Sequence, residues 1–311
     1  MLQTIEVSQN IVASPINQLE PLINLVINNL NSEDSKRAYK QSLTDFFGWW
    51  NKRGRPQFCK AEVLAYKESL RRRNLSSSTI NVRLCAVRRL ASEATDNGLI
   101  DSGLAAGIAR IKDMHSRGVR AGNWLTKNEA ERLLQAPDIS TIDGLRDRAV
   151  LAVMIGAGLR RAEVANLRID HLQERDGRWC LVDLVGKGNR VRTVPIPSWC
   201  KSALDDWLKA AGLTSGPLFR AFKRYHAGLL PGRVTPMTIY NIVRHYATMC
   251  SFGVKAHDLR RTYAKLCHTG GAPLDQIQLS LGHASIVTTE RYLGLRQNLT
   301  VAPCDFLGLE L

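Results

Sequence analysis

Between Arg110 and Asn123 the helical periodicity of the surrounding sequence stops, and this break constrains how the chain can fold. Arg110, Lys112, Arg117 and Arg120, interspersed with Gly118 and Gly122, are offset only by Asp113. Such a composition stays solvated rather than packed, so residues 109–123 read as a flexible, basic interdomain linker. The apolar residues on its two sides must then bury themselves in separate cores, and 311 residues are enough for two.

On the N-terminal side, after an arm of residues 1–14, Ser14-Pro15 can open a helix in which Leu19, Leu22, Ile23, Val26, Ile27 and Leu30 recur at helical spacing. Pro21 leaves its first turns open. Ser32 can cap a second helix carrying Tyr39, Leu43, Phe46, Phe47 and Trp50, closed by the turn-prone Asn51–Pro56. A third helix fits Lys60 to Arg72, and a fourth runs from Ser76-Ser77-Ser78 through Ile80, Leu84, Val87 and Leu90 to Asn97-Gly98. Residues 15–108 thus read as a four-helix domain, with the aromatic stripe assigned to its core rather than to a base-stacking platform. Arg71, Arg72, Arg73, Arg83, Arg88 and Arg89 suit phosphate and groove contacts, although a solvated basic face would use the same residues.

On the C-terminal side, Thr126 and Glu129 form a capping-box pattern, and Leu145 to Ile155 is an apolar helix ending at Gly156-Ala157-Gly158. Trp179–Val185 and Arg190–Ile196 favour strands and are joined by Gly186-Lys187-Gly188-Asn189, which predicts an antiparallel hairpin with Lys187 at its tip. Further helices are expected after Thr235-Pro236, from His257 to Gly270-Gly271, and near Ser285 carrying Tyr292. The fold class expected is mainly α, a helical N-terminal domain followed by a mainly helical second domain, 124–298, with a small antiparallel sheet.

The balance of 43 Lys and Arg against 28 Asp and Glu gives a formal charge of +15, which favours a polyanion such as nucleic acid over other partners. A membrane partner is disfavoured, because no apolar run approaches the roughly 18 residues of a spanning helix. The N-terminus also lacks the pattern of a signal peptide, so a soluble, intracellular protein is expected. Seven cysteines, Cys59, Cys85, Cys180, Cys200, Cys250, Cys267 and Cys304, are scattered and never spaced as a CxxC pair. They read as reduced packing residues rather than as a zinc site or a disulfide framework.

Five features of the second half bear on chemistry: Gly158-Leu159-Arg160-Arg161-Ala162-Glu163, Lys187, His257-Asp258-Leu259-Arg260, Leu281-Gly282-His283, and Tyr292. Singly, each has a structural explanation: a surface arginine at a helix start, a turn lysine, a helix-capping histidine, a packed imidazole, a core aromatic. In this order, and with the run LGHASIVTTERY from Leu281 to Tyr292, they resemble the catalytic domain of the tyrosine recombinase, or lambda integrase, family, particularly its Xer-like bacterial and phage members. The resemblance spans Thr126 to about Leu295. The N-terminal helices resemble, less specifically, the family's SAM-like core-binding domain.

The resemblance implies a site-specific recombinase that cuts and rejoins DNA through a 3′-phosphotyrosyl intermediate. Its active set would be Arg160, Lys187, His257, Arg260, His283 and the nucleophile Tyr292, with Glu163 a supporting carboxylate. The residue types fit that chemistry. A tyrosine can form a phosphodiester and later leave it, conserving the energy of the broken bond. Two guanidinium groups can clamp the nonbridging oxygens, and a lysine can protonate the departing 5′ oxygen. Because arginine and lysine already supply positive charge, neither metal nor cofactor is expected. Tyr263 is a chemical rival to Tyr292, but its place one turn beyond Arg260 reads as buried.

DNA contacts are expected from Arg72, Arg73, Arg83, Arg88, Arg89, Arg110, Lys112, Arg117 and Arg120. The resemblance also implies a cytoplasmic, bacterial or phage- or plasmid-encoded protein that assembles as a homotetramer on two double-stranded sites, without a membrane. The tail, residues 299–311, extends an apolar pattern through Leu293, Leu295, Leu299, Val301, Phe306, Leu307 and Leu309, suited to exchange between subunits or to packing on its own domain. Torsional relaxation by a type IB topoisomerase uses the same chemistry. A DNA-binding protein that does not cut is a further alternative, opposed by the presence of all six residue types.

Overall fold

The computed structural model describes residues 19–115, 123–186, 190–223 and 228–294. The chain divides into two compact units, Met1–Val119 and Arg120–Leu311.

The first unit contains α1 (Leu19–Asn28), α2 (Glu33–Lys52), α3 (Lys60–Arg72), α4 (Ser77–Asp96) and α5 (Ser102–Ala109). Ser32 and Ser76 cap α2 and α4 as expected, each accepting from the backbone N–H three residues on. Phe46, Phe47 and Trp50 are buried, so the aromatic stripe is core. Phe46 stands at its centre, edge-on to Tyr66 at 5.0 Å and to Phe58 at 6.0 Å between ring centroids.

The four-helix expectation is corrected by α5. Two glycines dilute its signal, but Asp101 caps it by accepting from the N–H groups of Gly103 and Leu104, and Ile108 is buried. The start of the presumed flexible linker is also ordered. Ile111 is buried in the first core, and the Met114 N–H donates to Asn81 Oδ1 at 2.7 Å. The proposed start at Ser14-Pro15 and the arm before it lie outside the described residues.

The second unit begins with α6 (Lys127–Gln135), whose Thr126–Glu129 capping box is present, and α7 (Ile142–Gly156). Next come α8 (Arg161–Ala165), a short 3₁₀ turn, and the antiparallel sheet β1 (Leu172–Arg175), β2 (Arg178–Val185) and β3 (Val191–Pro195), in the order β1-β2-β3. Helix α9 (Ser198–Ala211) precedes a second hairpin, β4 (Arg220–Phe222) with β5 (Leu229–Arg233). Helices α10 (Pro236–Met249), α11 (Ala256–Thr269), α12 (Leu274–Leu281) and α13 (Ile286–Leu293) complete the described chain.

Helix α7 is buried through Ala149–Gly156 because α6, α9, α10 and α11 all pack on it. Its all-round apolar sequence is what such a position requires. The hairpin expected from the sequence is β2 with β3. Its edge partner β1 and the β4–β5 pair were not expected, since four- and three-residue strands carry too little alternation to register as a pattern. A bulge in β2 between Leu181 and Leu184 places Asp183 at φ +53°, bending the strand. Among the described residues no helix is long and apolar enough to cross a membrane, and the six described cysteines form no disulfides.

Gly158 and Gly212 have nearly equal left-handed backbones, φ +61° and +60°, but different surroundings. A Cβ on Gly158 would lie 2.5 Å from the Tyr263 ring, whereas one on Gly212 would meet nothing within 4 Å. Gly212→Ala is therefore expected to cost about 1–2 kcal/mol, for the left-handed backbone. Gly158→Ala should lose roughly 1–3 kcal/mol more, for the clash. Denaturant titration of the two variants checks the difference.

Candidate active site

Helix α7 ends at Gly156, and the left-handed Gly158 turns the chain so that Leu159 is buried and Arg160 opens α8. Glu163, one turn on, fixes Arg160 twice. It accepts from the Arg160 backbone N–H at 2.8 Å and from its guanidinium at 2.7 Å. The same carboxylate accepts two hydrogen bonds from Arg192 on β3, at 3.1 and 2.8 Å. Burial raises the cost of charge on Glu163, yet the hydrogen bonds from Arg192 and from the Arg160 backbone outweigh it and hold its pKa below the ordinary carboxylate value.

Helix α11 presents His257 in its first turn and Arg260 one turn later. Arg260 is only 1% exposed, and it donates to the carbonyls of Gly158, at 2.7 Å, and Leu281. These two bonds draw the Arg160 turn and the end of α12 towards one point. Burial, and after it the positive charge of Arg160, lower the Arg260 pKa to about 10, which leaves it protonated at neutral pH.

Gly282, at φ +62°, ends α12 and turns the chain into His283, whose Nδ1 is 2.9 Å from the Thr289 hydroxyl of α13. Burial first, then Arg260 and Arg160, push the His283 pKa down to about 4, so its imidazole is neutral. His257 is lowered by the same two causes, burial and the adjacent Arg260.

Tyr292 lies on the last turn of α13, with its hydroxyl 3.4 Å from both His257 Nε2 and the His257 carbonyl. Both imidazoles meet its ring edge-on, at 5.8 Å for His257 and 5.5 Å for His283, and the Arg261 guanidinium lies 5.2 Å from its centroid. Burial raises the Tyr292 pKa while Arg260 and Arg261 oppose the rise; the resting phenol is protonated.

Five of the six residues expected from the sequence are thus brought together: Arg160, His257, Arg260, His283 and Tyr292. Lys187 lies outside the described residues. The base of its hairpin is closed by the Gly186 N–H donating to the Arg190 carbonyl at 2.8 Å. Tyr263, expected to be buried, is half-buried. Its ring supports Gly158, and burial pushes its pKa up to about 12.

Five of the expected DNA-contacting arginines of the first unit, Arg72, Arg73, Arg83, Arg88 and Arg89, are paired within it. Arg73 and Arg83 converge on Asp45, at 2.9 and 2.7 Å, and Arg88 reaches Asp113 at 2.8 Å. Arg89 pairs with Glu93, and Arg72 makes a longer contact with Glu68. Arg72, Arg73, Arg89, Arg110 and Lys112 are exposed. Exposed pairs contribute little and can exchange partners, whereas Arg83 and Arg88 are the more enclosed of the set. Arg117 and Arg120 lie outside the described residues. Leu293, expected among the tail residues offered outward, is buried with Ala264, Ile277 and Leu281; the tail beyond it lies outside the described residues.

The sequence reading missed Arg192 and Thr289. Arg192 lies two residues before the buried Val194, on the same inward face of β3, and an inward-facing arginine requires a carboxylate. That parity was the available signal. Nothing in the sequence marked Thr289 as the partner of His283.

A family model described as the phage integrase family matches residues 123–298, more than half of the chain, and one for the phage integrase N-terminal SAM-like domain matches residues 22–98. The chain belongs to the phage integrase family. Among its relatives, the tyrosine recombinase XerC of Xylella fastidiosa (strain M23) is 29% identical over 261 residues, covering 83% of this chain and 85% of the relative. The fold is shared with XerH site-specific recombinase in a post-cleavage complex with a palindromic difH substrate, with TM-score 0.69 and 20% identity over 94% of this chain and 85% of that one. It is equally shared with a lambda integrase tetramer bound to a Holliday junction, with TM-score 0.69 and 14% identity over 97% and 83%.

The phage integrase model encloses every residue described around Tyr292, and Glu163 is the deepest-set acidic group among them. Its charge is stabilising above the ordinary carboxylate pKa, near 4.3 in peptides, and that contribution is lost as pH falls through the lower folded value. Glu163→Gln leaves Arg192 enclosed without its counter-charge and is expected to cost about 3–5 kcal/mol near neutrality. The difference from wild type should shrink as acid protonates Glu163 itself. Thermal melts of both proteins from neutral to acid pH measure this convergence.

Proposed function

We propose that the protein is a site-specific DNA recombinase in which Tyr292 attacks a phosphodiester of its target site. The observation that carries this reading is the Tyr292 hydroxyl, set 3.4 Å from His257 Nε2 within a group that includes Arg160, Arg260 and His283. In the first step the Tyr292 oxygen bonds to phosphorus and the bond to the 5′ oxygen breaks, leaving a 3′-phosphotyrosyl link and a free 5′ hydroxyl. Reversal with a different 5′ hydroxyl rejoins the strand, and neither step consumes ATP.

Holding a free tyrosine as phenolate at neutral pH costs roughly 4 kcal/mol, so the proton needs an acceptor. His257, kept neutral by burial and by Arg260, is the acceptor we assign. Arg160 and Arg260 clamp the nonbridging oxygens, and their mutual repulsion favours an anion between them. His283 acts as a neutral donor to the same phosphate. For that role we assign the Thr289 hydroxyl as donor to Nδ1, which puts the imidazole proton on Nε2. Lys187 is assigned the protonation of the departing 5′ oxygen on the family resemblance.

We assign DNA recognition to both units, 15–108 and 124–298, joined through the basic stretch 109–123, with four copies assembled on two sites in the cytoplasm. Subunit exchange by residues 299–311 belongs to the same assignment. Integration, excision, inversion and dimer resolution all use these steps.

Covalent trapping on nicked DNA carrying candidate sites, with EDTA and without ATP, tests the reading. Wild type should give a denaturation-resistant protein–DNA species. Tyr292→Phe should bind the same DNA and give none; an adduct from Tyr292→Phe sinks the assignment. Arg260→Ala should slow adduct formation by roughly 10²–10³-fold, the typical effect of removing one preorganised donor to a developing charge. Specific binding without an adduct by wild type would favour a non-cutting DNA-binding protein.

A further inference from the structure

Arg192 lies outside the set of residues assigned to the phosphate, yet it ties together the segments that carry two of them. Its side chain is 9% exposed. The guanidinium grips both oxygens of Glu163, at 3.1 and 2.8 Å, and its Nε donates to the Ser280 carbonyl at 2.9 Å. One rigid fork therefore bridges β3, the first turn of α8 and the last turn of α12. Two glycines leave room for it. A Cβ on Gly282 would lie 3.0 Å from Arg192 Cδ, and one on Gly186 would lie 3.1 Å from its guanidinium.

Each anchored atom is one step from the site. Glu163 is the acceptor that fixes both the backbone and the guanidinium of Arg160. Ser280 precedes Leu281, whose carbonyl accepts from Arg260, and Gly282-His283 follows directly. We propose that Arg192 is a positioning residue for DNA cleavage, holding Glu163 and the end of α12 so that Arg160 and His283 are presented together to one phosphate. The proposal rests on the reading of Tyr292 as the nucleophile.

Arg192 shares the Glu163 charge with Arg160. Without Arg192, Glu163 binds Arg160 alone, drawing that guanidinium away from the phosphate, and the His283 turn loses its brace. Lysine cannot replace the fork, because a single ammonium on a flexible stem does not span two segments in fixed geometry. A purely structural ion pair makes the opposite forecast. A neutral substitution of both partners relieves the orphaned charge, and function returns with stability.

The test compares wild type, Arg192→Met, Arg192→Lys and the double variant Glu163→Gln/Arg192→Met in melting, DNA binding and single-turnover adduct formation. Arg192→Met should form adduct about 10²-fold more slowly while binding DNA within about threefold of wild type, the signature of misplaced reacting groups rather than lost affinity. Arg192→Lys should regain stability more than rate, and the double variant should melt near wild type yet stay slow. A double variant that reacts at the wild-type rate overturns the proposal, as does an unimpaired Arg192→Met. Amide hydrogen exchange supplies an arm independent of cleavage. Peptides spanning 159–166 and 279–284 should exchange faster in Arg192→Met and in Arg192→Lys, and unchanged exchange there also overturns it. Failure of wild type to form any adduct would instead remove the Tyr292 reading, while the exchange arm still decides whether Arg192 fixes these segments.

Discussion

The enclosed guanidinium of Arg260 is the constraint on which the site depends. A charge so removed from water is tolerated only where its donors are satisfied, and two of its five go to the carbonyls of Gly158 and Leu281. Those carbonyls belong to turns built on left-handed glycines, Gly158 before Arg160 and Gly282 before His283. One side chain on α11 thus fixes how far apart the Arg160 and His283 turns can stand. Satisfying a buried cation and assembling the proposed phosphate site are here the same event.

A second consequence concerns charge. Arg160, Arg192 and Arg260 are gathered around one carboxylate, Glu163, and the two site imidazoles are held neutral rather than adding to the excess. The site without DNA is therefore left short of negative charge, and Arg260 is depressed to about 10, in part by its neighbour Arg160. A phosphodiester entering such a place relieves repulsion as well as forming hydrogen bonds. Under the proposed reading, the formal charge of +15 acts at longer range to draw DNA near, whereas the local deficit sets where one phosphate would come to rest.

Much of this organisation was legible in the sequence because it is written in local rules. Ser32, Ser76, Thr126 and Thr235 each announce a helix start by offering an oxygen to the N–H groups of the first turn. The β2–β3 hairpin follows from two β-rich runs around a glycine turn. Helix α5 and strands β1 and β4 are too short for their periodicity to rise above the surrounding sequence, and β5 is obscured by Pro231 and Gly232; packing rather than propensity forms them. Within the site, Arg160, His257, Arg260, His283 and Tyr292 were readable from motif order. Their supporting partners were not, because Arg192 to Glu163 and Thr289 to His283 are contacts of the folded state. The sequence did not show the partner of Arg73 and Arg83, because Asp45 is far from them in sequence and meets them only through the packing of α2 on α3 and α4.

The placement of the chemistry at element ends follows from what a core can hold. Arg160 opens α8, His257 lies in the first turn of α11, His283 follows the last turn of α12, and Tyr292 is next to last in α13. At such ends the chain can aim polar groups outward while the adjoining turns remain apolar and packed. Helix α13 shows how little structure this needs. With eight residues it is too short to be stable on its own, and it is held through buried Thr289 and Leu293, which lie one turn apart. Thr289 bonds His283, and Leu293 packs on Leu281 in the same cluster. The neighbour of Tyr292 in sequence and the neighbour of His283 in space therefore rest on α12, whose end Arg260 and Arg192 grip. Tyr292, the nucleophile we propose, is thus presented by a short element whose position is dictated by the groups proposed to bind the phosphate.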